Sequence, residues 1–301
     1  SILSLERDTN NYYFIIRGSI QMNSVVDIAE YRDNIVSLWN ECFGDSRDYI
    51  EFFLERCSDK ICLGHIENRS LKSMLFLLNG EINGCSCKYI YAACTAKAAR
   101  CRGLMGSLIE YAKEFCRSHG VDFIFLVPGE ESLYSYYSRF GFIPTMKRYA
   151  CEIKGRGNGF CPRITTDIRS IAERRLTLLK NIKSFRFDLE TTEYTVAEFL
   201  KTGGEIYSES GKNGFLAFCV RDGESLTVKE LLLDFDSSFT NILDLFEKIG
   251  AENVYIHAPL VYNSTDIGGN CTKCGMLYPL SDNAKKCTNE LGTFYAGMYL
   301  D

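Results

Sequence analysis

A chain of 301 residues, 46% of them hydrophobic, can bury one large core or two ordinary ones. Its formal net charge of -5 argues against a broad electrostatic footprint for nucleic acid, although a small basic patch such as Arg100 and Arg102 is compatible with it. No apolar run reaches membrane-spanning length, and Glu6, Arg7 and Asp8 interrupt the opening SILSLERDTNNYYFIIRGSIQM, so a cytoplasmic protein without a secretory leader or membrane partner is expected.

Residues 1–21 precede Met22 and read as an N-terminal extension. From Val25 to Cys57 the spacing of Ile35, Leu38, Trp39, Phe43, Ile50, Phe53 and Leu54 predicts two short helices. They break at FGDS, where Gly44 stops one and Asp45 or Ser46 caps the next. Three strand-like runs follow, KICLGHI, LKSMLFLL and CKYIYAAC, with Asn79-Gly80 as a hairpin signal. Leu104, Leu108, Ala112 and Phe115 then line one helical face, with Ser107, Glu110, Lys113 and Glu114 off it and Gly120 as the stop.

VDFIFLVP reads as a buried strand, ESLYSYYSRFGF as a short helix and turn, and MKRYACEIK as a closing strand. GRGNGFCP fits a linker, which divides the chain into 22–154, a linker at 155–163, and 164–301. In the last segment DIRSIAERRLTLLKNI and TVAEFLK look helical, and Asp222-Gly223 sits between two strands. YAKEFCRSHGVDFIFLVP and ILDLFEKIGAENVYIHAP share helix, glycine, polar step, apolar strand and proline, so the halves read as structural repeats or as two instances of one helix-to-strand turn. The fourteen cysteines sit singly within apolar runs such as DKICLGH and GFLAFCV, as buried free thiols do in a reducing compartment.

The chemistry concentrates in AARCRGLMGSLIEYA. A helix N-terminus presents unpartnered N–H groups and partial positive charge, which favours an anion. Gly103 allows close approach, and Arg100 and Arg102 add charged donors. A plain basic turn before a helix fits the spacing equally well. The Gly-x-x-x-x-Gly-Lys-Ser/Thr and Gly-x-Gly-x-x-Gly phosphate motifs are both absent. The second half carries LLLDFDSSFT at the matching place, where Asp234 and Asp236 would repel a phosphate.

Strand, Arg100-x-x-Gly103, helix, and a strand ending at Pro128 together resemble the GNAT acetyltransferase superfamily. Met105 stands where that signature has Gly or Ala, and Gly106 comes one step late. LNGEINGCSCKYIYAACTAKAARCRGLM is similar to the Eis-like branch, which pairs a working GNAT domain with a second, degenerate one; the sterol-carrier-like domain common there is not expected in this length. The resemblance implies a mixed α/β (α+β) fold of tandem GNAT-like domains, each a twisted mixed sheet flanked by helices. It also implies acetyl-CoA as acyl donor and a small-molecule or peptide amine as acceptor, with the oligomeric state left open.

It implies coenzyme contacts from the strand end Ala93, Cys94 and Thr95, and from the loop Arg100, Cys101, Arg102, Gly103, Leu104, Met105 and Gly106. Ser132 and Leu133 would add further contacts. Tyr137, four residues before Gly141, would protonate the departing thiolate, since a phenol with a pKa near ~10 arrives protonated. The strand CKYIYAAC carries no carboxylate or histidine, so the resemblance assigns the base to the C-terminal carboxylate of Asp301, with His65 and Glu130 as fallbacks. No metal is expected. Cys271 and Cys274 with Cys287 offer three zinc ligands and His257 a distant fourth, which leaves a zinc-bearing interaction module as a third class beside a transferase and a non-catalytic acyl-CoA sensor.

Overall fold

The computed structural model describes residues 5–8, 11–16, 19–157, 159–262, 269–297 and 300. Two compact units emerge, each discontinuous in sequence: Ser1–Gly80, Cys85–Ile143 and Leu277–Lys286 form the first, and Glu81–Gly84, Pro144–Met276 and Cys287–Asp301 the second.

In chain order the first unit begins with strands β1 (Leu5–Asp8), β2 (Asn11–Ile16) and β3 (Ser19–Val25), followed by helices α1 (Arg32–Phe43) and α2 (Arg47–Arg56). Strands β4 (Ile61–Glu67), β5 (Ser70–Ile82) and β6 (Cys85–Thr95) lead into α3 (Leu104–Ser118), β7 (Phe123–Leu126) and α4 (Glu131–Ser138). Neighbours in the sheet run β1-β2-β3-β4-β5-β6-β7, antiparallel from β1 through β5, with β6 and β7 parallel. Gly44 ends α1 in the left-handed region, where its N–H reaches Asn40 O at 2.9 Å, and Ser46 caps α2 by accepting from Tyr49 N. Trp39, Phe53, Phe76 and Tyr91 form an aromatic core with centroids 4.9–5.7 Å apart.

Two expectations shift. Strand β5 runs through Asn79-Gly80, and the turn falls instead at Asn83-Gly84, whose φ values of 50° and 79° supply the two left-handed residues a tight hairpin needs. Asn79 is held in the strand by a hydrogen bond from Lys88 Nζ. On α3 the buried face is Leu104, Leu108, Ile109, Ala112 and Cys116, while Phe115 is half-buried and stacks on His119 at 4.2 Å. Lys113, expected to face water, is buried, with Nζ donating to Phe140 O at 2.6 Å and lying 4.3 Å from the Tyr278 ring centroid.

Strand β8 (Ile143–Lys154) leads into the second unit, which continues with α5 (Ile168–Leu179), β9 (Phe185–Phe187), α6 (Leu189–Lys201), β10 (Glu205–Glu209), β11 (Phe215–Asp222) and β12 (Ser225–Leu233). Then come α7 (Phe239–Phe246) and β13 (Asn253–Ala258), and in chain order β14 (Gly269–Pro279) and α8 (Asp282–Leu291), of which Leu277–Lys286 belongs to the first unit. The strand neighbours of the second unit are β8-β13-β12-β11-β10, with β12 and β13 parallel. Helix α7 packs one core with Phe215, Val228 and Ile256; Ile171 of α5 and Val196 and Phe199 of α6 form another with Ile206 and Phe218.

The repeat is real at the level of topology. In each half two helices precede three consecutive strands, and a helix then crosses to a parallel strand. The parallel registers even have equal length, Cys87–Ile90 on Phe123–Leu126 and Ser225–Val228 on Asn253–Ile256.

Candidate functional site

Strand β6 outlasts its neighbour. Pairing with β7 ends at Ile90 opposite Leu126, where β7 itself stops, while β6 continues to Thr95. Ala92, immediately past the last pair but one residue, sits at φ 49°, and Cys101 in the following loop at φ 61°. Left-handed conformations in residues with a side chain cost roughly 1–3 kcal/mol each and concentrate at functional sites.

Gly103 caps α3 at φ 77° with no side-chain hydrogen bond to the helix end. Ser107 N is the first to reach back, to Gly103 O at 3.0 Å, so helix geometry gives the N–H groups of Leu104, Met105 and Gly106 no intrahelical acceptor. The same residues line a cavity of about 630 Å3 together with Thr95, Ala99, Arg100, Cys101, Gly103, Tyr136, Arg139 and Phe140. The lining combines two exposed guanidinium groups, a bare helix N-terminus and aromatic rings, a set suited to a phosphate ester with an organic tail. Arg139 also lies 4.9 Å from the centroid of the Tyr136 ring.

Gly106 has a specific reason to be glycine. A Cβ there would lie 3.0 Å from Phe140 Cζ, so the residue makes room for a ring that forms one wall.

Thus Thr95, Arg100, Cys101, Gly103, Leu104, Met105 and Gly106 of the expected coenzyme set come together around one cavity. Ala93, Cys94, Arg102, Ser132 and Leu133 stand outside its lining. Arg102 turns to Glu67, donating from Nη1 to Oε2 at 3.2 Å and from Nη2 to Oε1. Against the cost of its burial, that guanidinium holds the Glu67 carboxyl below the usual carboxylate range. Glu67 lies 3.4 Å from His65 Nε2, and His65 Nδ1 lies 2.7 Å from Asn23 Oδ1. Asn23 Nδ2 in turn donates to Ser107 Oγ at 2.7 Å, so the network fastens the first turn of α3 to β3 and β4. Burial, opposed by Glu67, lowers the pKa of His65, and this histidine braces the loop from outside the cavity lining.

Tyr137 is buried, edge-on to Tyr136 at 5.3 Å and to Phe142 at 5.9 Å. Burial pushes its phenol up to about 12. Its neighbour Tyr136 lines the cavity. Ala99, Tyr136, Arg139 and Phe140 escaped the sequence reading; the helical offset of Tyr136, Arg139 and Phe140 along YYSRF was the available signal. Glu130 is the exposed N-cap residue of α4, and Asp301 lies outside the described residues.

The second unit places different chemistry after its corresponding strand. Asp234 accepts from Arg174 Nη2 at 3.1 Å, and Phe235 beside it is 97% exposed. Cys271 is exposed and Cys274 buried on β14, and among the described residues no group of three or more His, Cys, Asp or Glu side chains could hold a metal ion.

The family model described as "Acetyltransferase (GNAT) domain" matches residues 28–145. By that match this segment resembles a GNAT acetyltransferase domain. It contains the strand, loop and cavity just described. No curated protein matches the chain. Among solved structures, the chain is similar to a GCN5-related N-acetyltransferase from Kribbella flavida, with a TM-score of 0.61 and 18% identity over 87% of this chain and 72% of that one. It is also similar to Eis1 from Mycobacterium abscessus, with a TM-score of 0.63, 10% identity and coverage of 86% and 73%. A tandem GNAT protein from the clavulanic acid biosynthesis pathway aligns with a TM-score of 0.53 and 8% identity over 87% and 99% of the two chains. At these identities the likeness is one of fold, and the fold is that of tandem GNAT domains.

Proposed function

We propose that the protein is an acetyl-CoA-dependent N-acetyltransferase that transfers the acetyl group directly to a primary amine. The single observation that carries this reading is the uncapped N-terminus of α3 opening onto the cavity with Arg100 and Arg139. Those N–H groups and guanidinium groups suit the pyrophosphate of the coenzyme. The edge of β6 from Tyr91 to Thr95, running on past β7, suits the pantetheine arm, which can pair with backbone groups as a strand would.

Transfer requires a neutral amine nitrogen to attack the thioester carbonyl while a strand N–H stabilises the developing oxyanion. The C–S bond then breaks and the thiolate takes a proton. Tyr137 is the proposed donor on its spacing four residues before Gly141; burial, which raises its phenol to about 12, weakens it as an acid, and it stands outside the cavity lining beside Tyr136. The acceptor amine is a small molecule or a peptide.

A regulator that binds acyl-CoA without transferring anything is the alternative, favoured by the absence of a carboxylate or histidine on CKYIYAAC. Release of free coenzyme thiol from acetyl-CoA against a panel of polyamines, aminoglycosides and peptide amines separates the two. Amine-dependent thiol release supports the transferase; tight acetyl-CoA binding without release for any amine supports the regulator.

A further inference from the structure

Of the two arginines in the loop, Arg100 lines the cavity and Arg102 does not. Arg102 is engaged by Glu67, the last residue of β4, with Nη1 donating to Oε2 at 3.2 Å and Nη2 to Oε1. Two residues earlier on the same strand stands His65, and opposite His65 in the register of β3 stands Asn23. All three side chains are buried, and all belong to the first unit.

The hydrogen-bond roles along this chain of contacts are fixed from one end. Ser107 O can only accept, so the Asn23 amide turns Nδ2 toward it at 3.2 Å, and the same nitrogen donates to Ser107 Oγ at 2.7 Å. Asn23 Oδ1 is then left to accept. Its partner at 2.7 Å is His65 Nδ1, which must carry the proton of that bond. In the neutral ring Nε2 is therefore bare; it lies 3.4 Å from Glu67 Oε1 and makes no hydrogen bond among the described residues. A bare nitrogen against a carboxylate is unfavourable unless the charge is taken up, and the two hydrogen bonds from Arg102 take it up. At the other end Ser107 meets the cradle, because its N–H closes the first bond of α3 on Gly103 O at 3.0 Å.

We infer that Glu67 is a positioning residue for the cradle and that Arg102 is its strut, not a ligand of the bound anion. Glu67 meets the loop twice, directly at Arg102 and, through His65 and Asn23, at Ser107 in the first turn of α3. Leu104, Met105 and Gly106, between those two anchors, line the cavity. The effect on coenzyme binding rests on the reading proposed above; the chain of contacts does not. Glutamine can fill the same place, since its oxygen accepts from Arg102 and its amide donates to the bare Nε2. Alanine can do neither.

The first readout needs no ligand. Long-range proton–nitrogen NMR of the three histidines at pH 8 should show His65 as the Nδ1–H tautomer, and an Nε2–H tautomer overturns the chain of contacts. Glu67 and Arg102 are the charged groups that bear on this imidazole, so Arg102→Met should raise its titration midpoint and Glu67→Ala lower it. A midpoint unmoved in both variants overturns the coupling. Calorimetry with acetyl-CoA reads the cradle. Glu67→Ala and Arg102→Met should each weaken binding about tenfold, the double variant no further than either alone, while Glu67→Gln stays within about twofold of the parent chain. A loss in Arg102→Met without one in Glu67→Ala makes Arg102 a direct ligand and overturns its role as strut. Losses that multiply in the double variant, or full affinity in Glu67→Ala, overturn Glu67 as the positioning residue. Where Glu67→Ala does not fold, Asn23→Asp reads the same path by setting a carboxylate oxygen against Ser107 O; a loss of about tenfold is expected, and full affinity overturns the path. A parent chain that binds no acetyl-CoA overturns the coenzyme reading and the claim on affinity, while the tautomer and titration of His65 still read the network.

Discussion

Adjacent tyrosines on α4 divide the work at the proposed site. Tyr136 forms part of the cavity wall, and Tyr137 is packed between Tyr136 and Phe142. Tyr137→Phe is expected to lower kcat by about 10²-fold while leaving acetyl-CoA affinity within about twofold, as loss of a general acid should. Tyr136→Phe keeps the ring and should change kcat little. The reverse pattern in steady-state kinetics would assign the acid to Tyr136. Because burial raises Tyr137 to about 12, this acid should impose no alkaline loss of activity below pH 10, roughly.

His257 of β13 carries a prediction for stability. Burial, then repulsion from Arg148 and Lys229, lowers its pKa from 6.5 to about 4. Between those values the unfolded chain binds a proton that the folded chain does not. Stability therefore declines as pH falls through this window and levels off below it. Urea unfolding at pH 7 and pH 4.5 should show a smaller difference for His257→Gln than for the parent chain; an identical difference would remove His257 as the cause. Tyr137 is picked out only through the family resemblance, by its spacing from Gly141, and residue types hide Lys113, whose long apolar stem lets it enter the core while Nζ finds Phe140 O.

Two elements make the cradle, the overrunning end of β6 and the first turn of α3. Their glycines fail in different ways when substituted. At Gly103 an added Cβ meets nothing within 4 Å, so Gly103→Ala is penalised only by its φ of 77°, about 1–2 kcal/mol, and should lower Tm with a clear drop in coenzyme affinity. Gly106→Ala keeps an ordinary helical backbone but presses on Phe140, so it should weaken acetyl-CoA binding with a smaller change in Tm. Thermal melts and calorimetry on both variants check the contrast, and equal losses of stability would contradict it. The loop and its helix were legible in sequence because Arg100, Gly103 and an amphipathic repeat adjoin one another. The hairpin between β5 and β6 was misplaced because two Asn-Gly pairs lie within six residues, and only the strand-bound Asn79 side chain distinguishes them.

At the scale of the molecule, one fold plan is used twice, with the proposed cradle in the first unit. Both α3 and α7 begin without a side-chain cap; the first unit adds arginines after its strand, and the second adds Asp234, engaged by Arg174. What holds the second unit includes a buried ion pair. Arg175 Nε and Nη2 donate to Glu230 at 2.6 and 3.1 Å, and Tyr295 OH donates to the same carboxylate at 3.1 Å. Arg175→Met should destabilise the protein by about 3–5 kcal/mol in denaturant unfolding, since it strands a buried carboxylate. A loss below about 1 kcal/mol would mean that Glu230 finds another cation or takes up a proton. The duplicated helix-to-strand grammar made the two halves visible in sequence, whereas this long-range pair of residues 55 positions apart left no local signal.

The most direct measurement is a calorimetric titration of the reduced protein with acetyl-CoA. A single cradle predicts saturable binding of one equivalent per chain, weakened in Gly103→Ala. The absence of saturable binding, or a second equivalent of equal affinity, would contradict it.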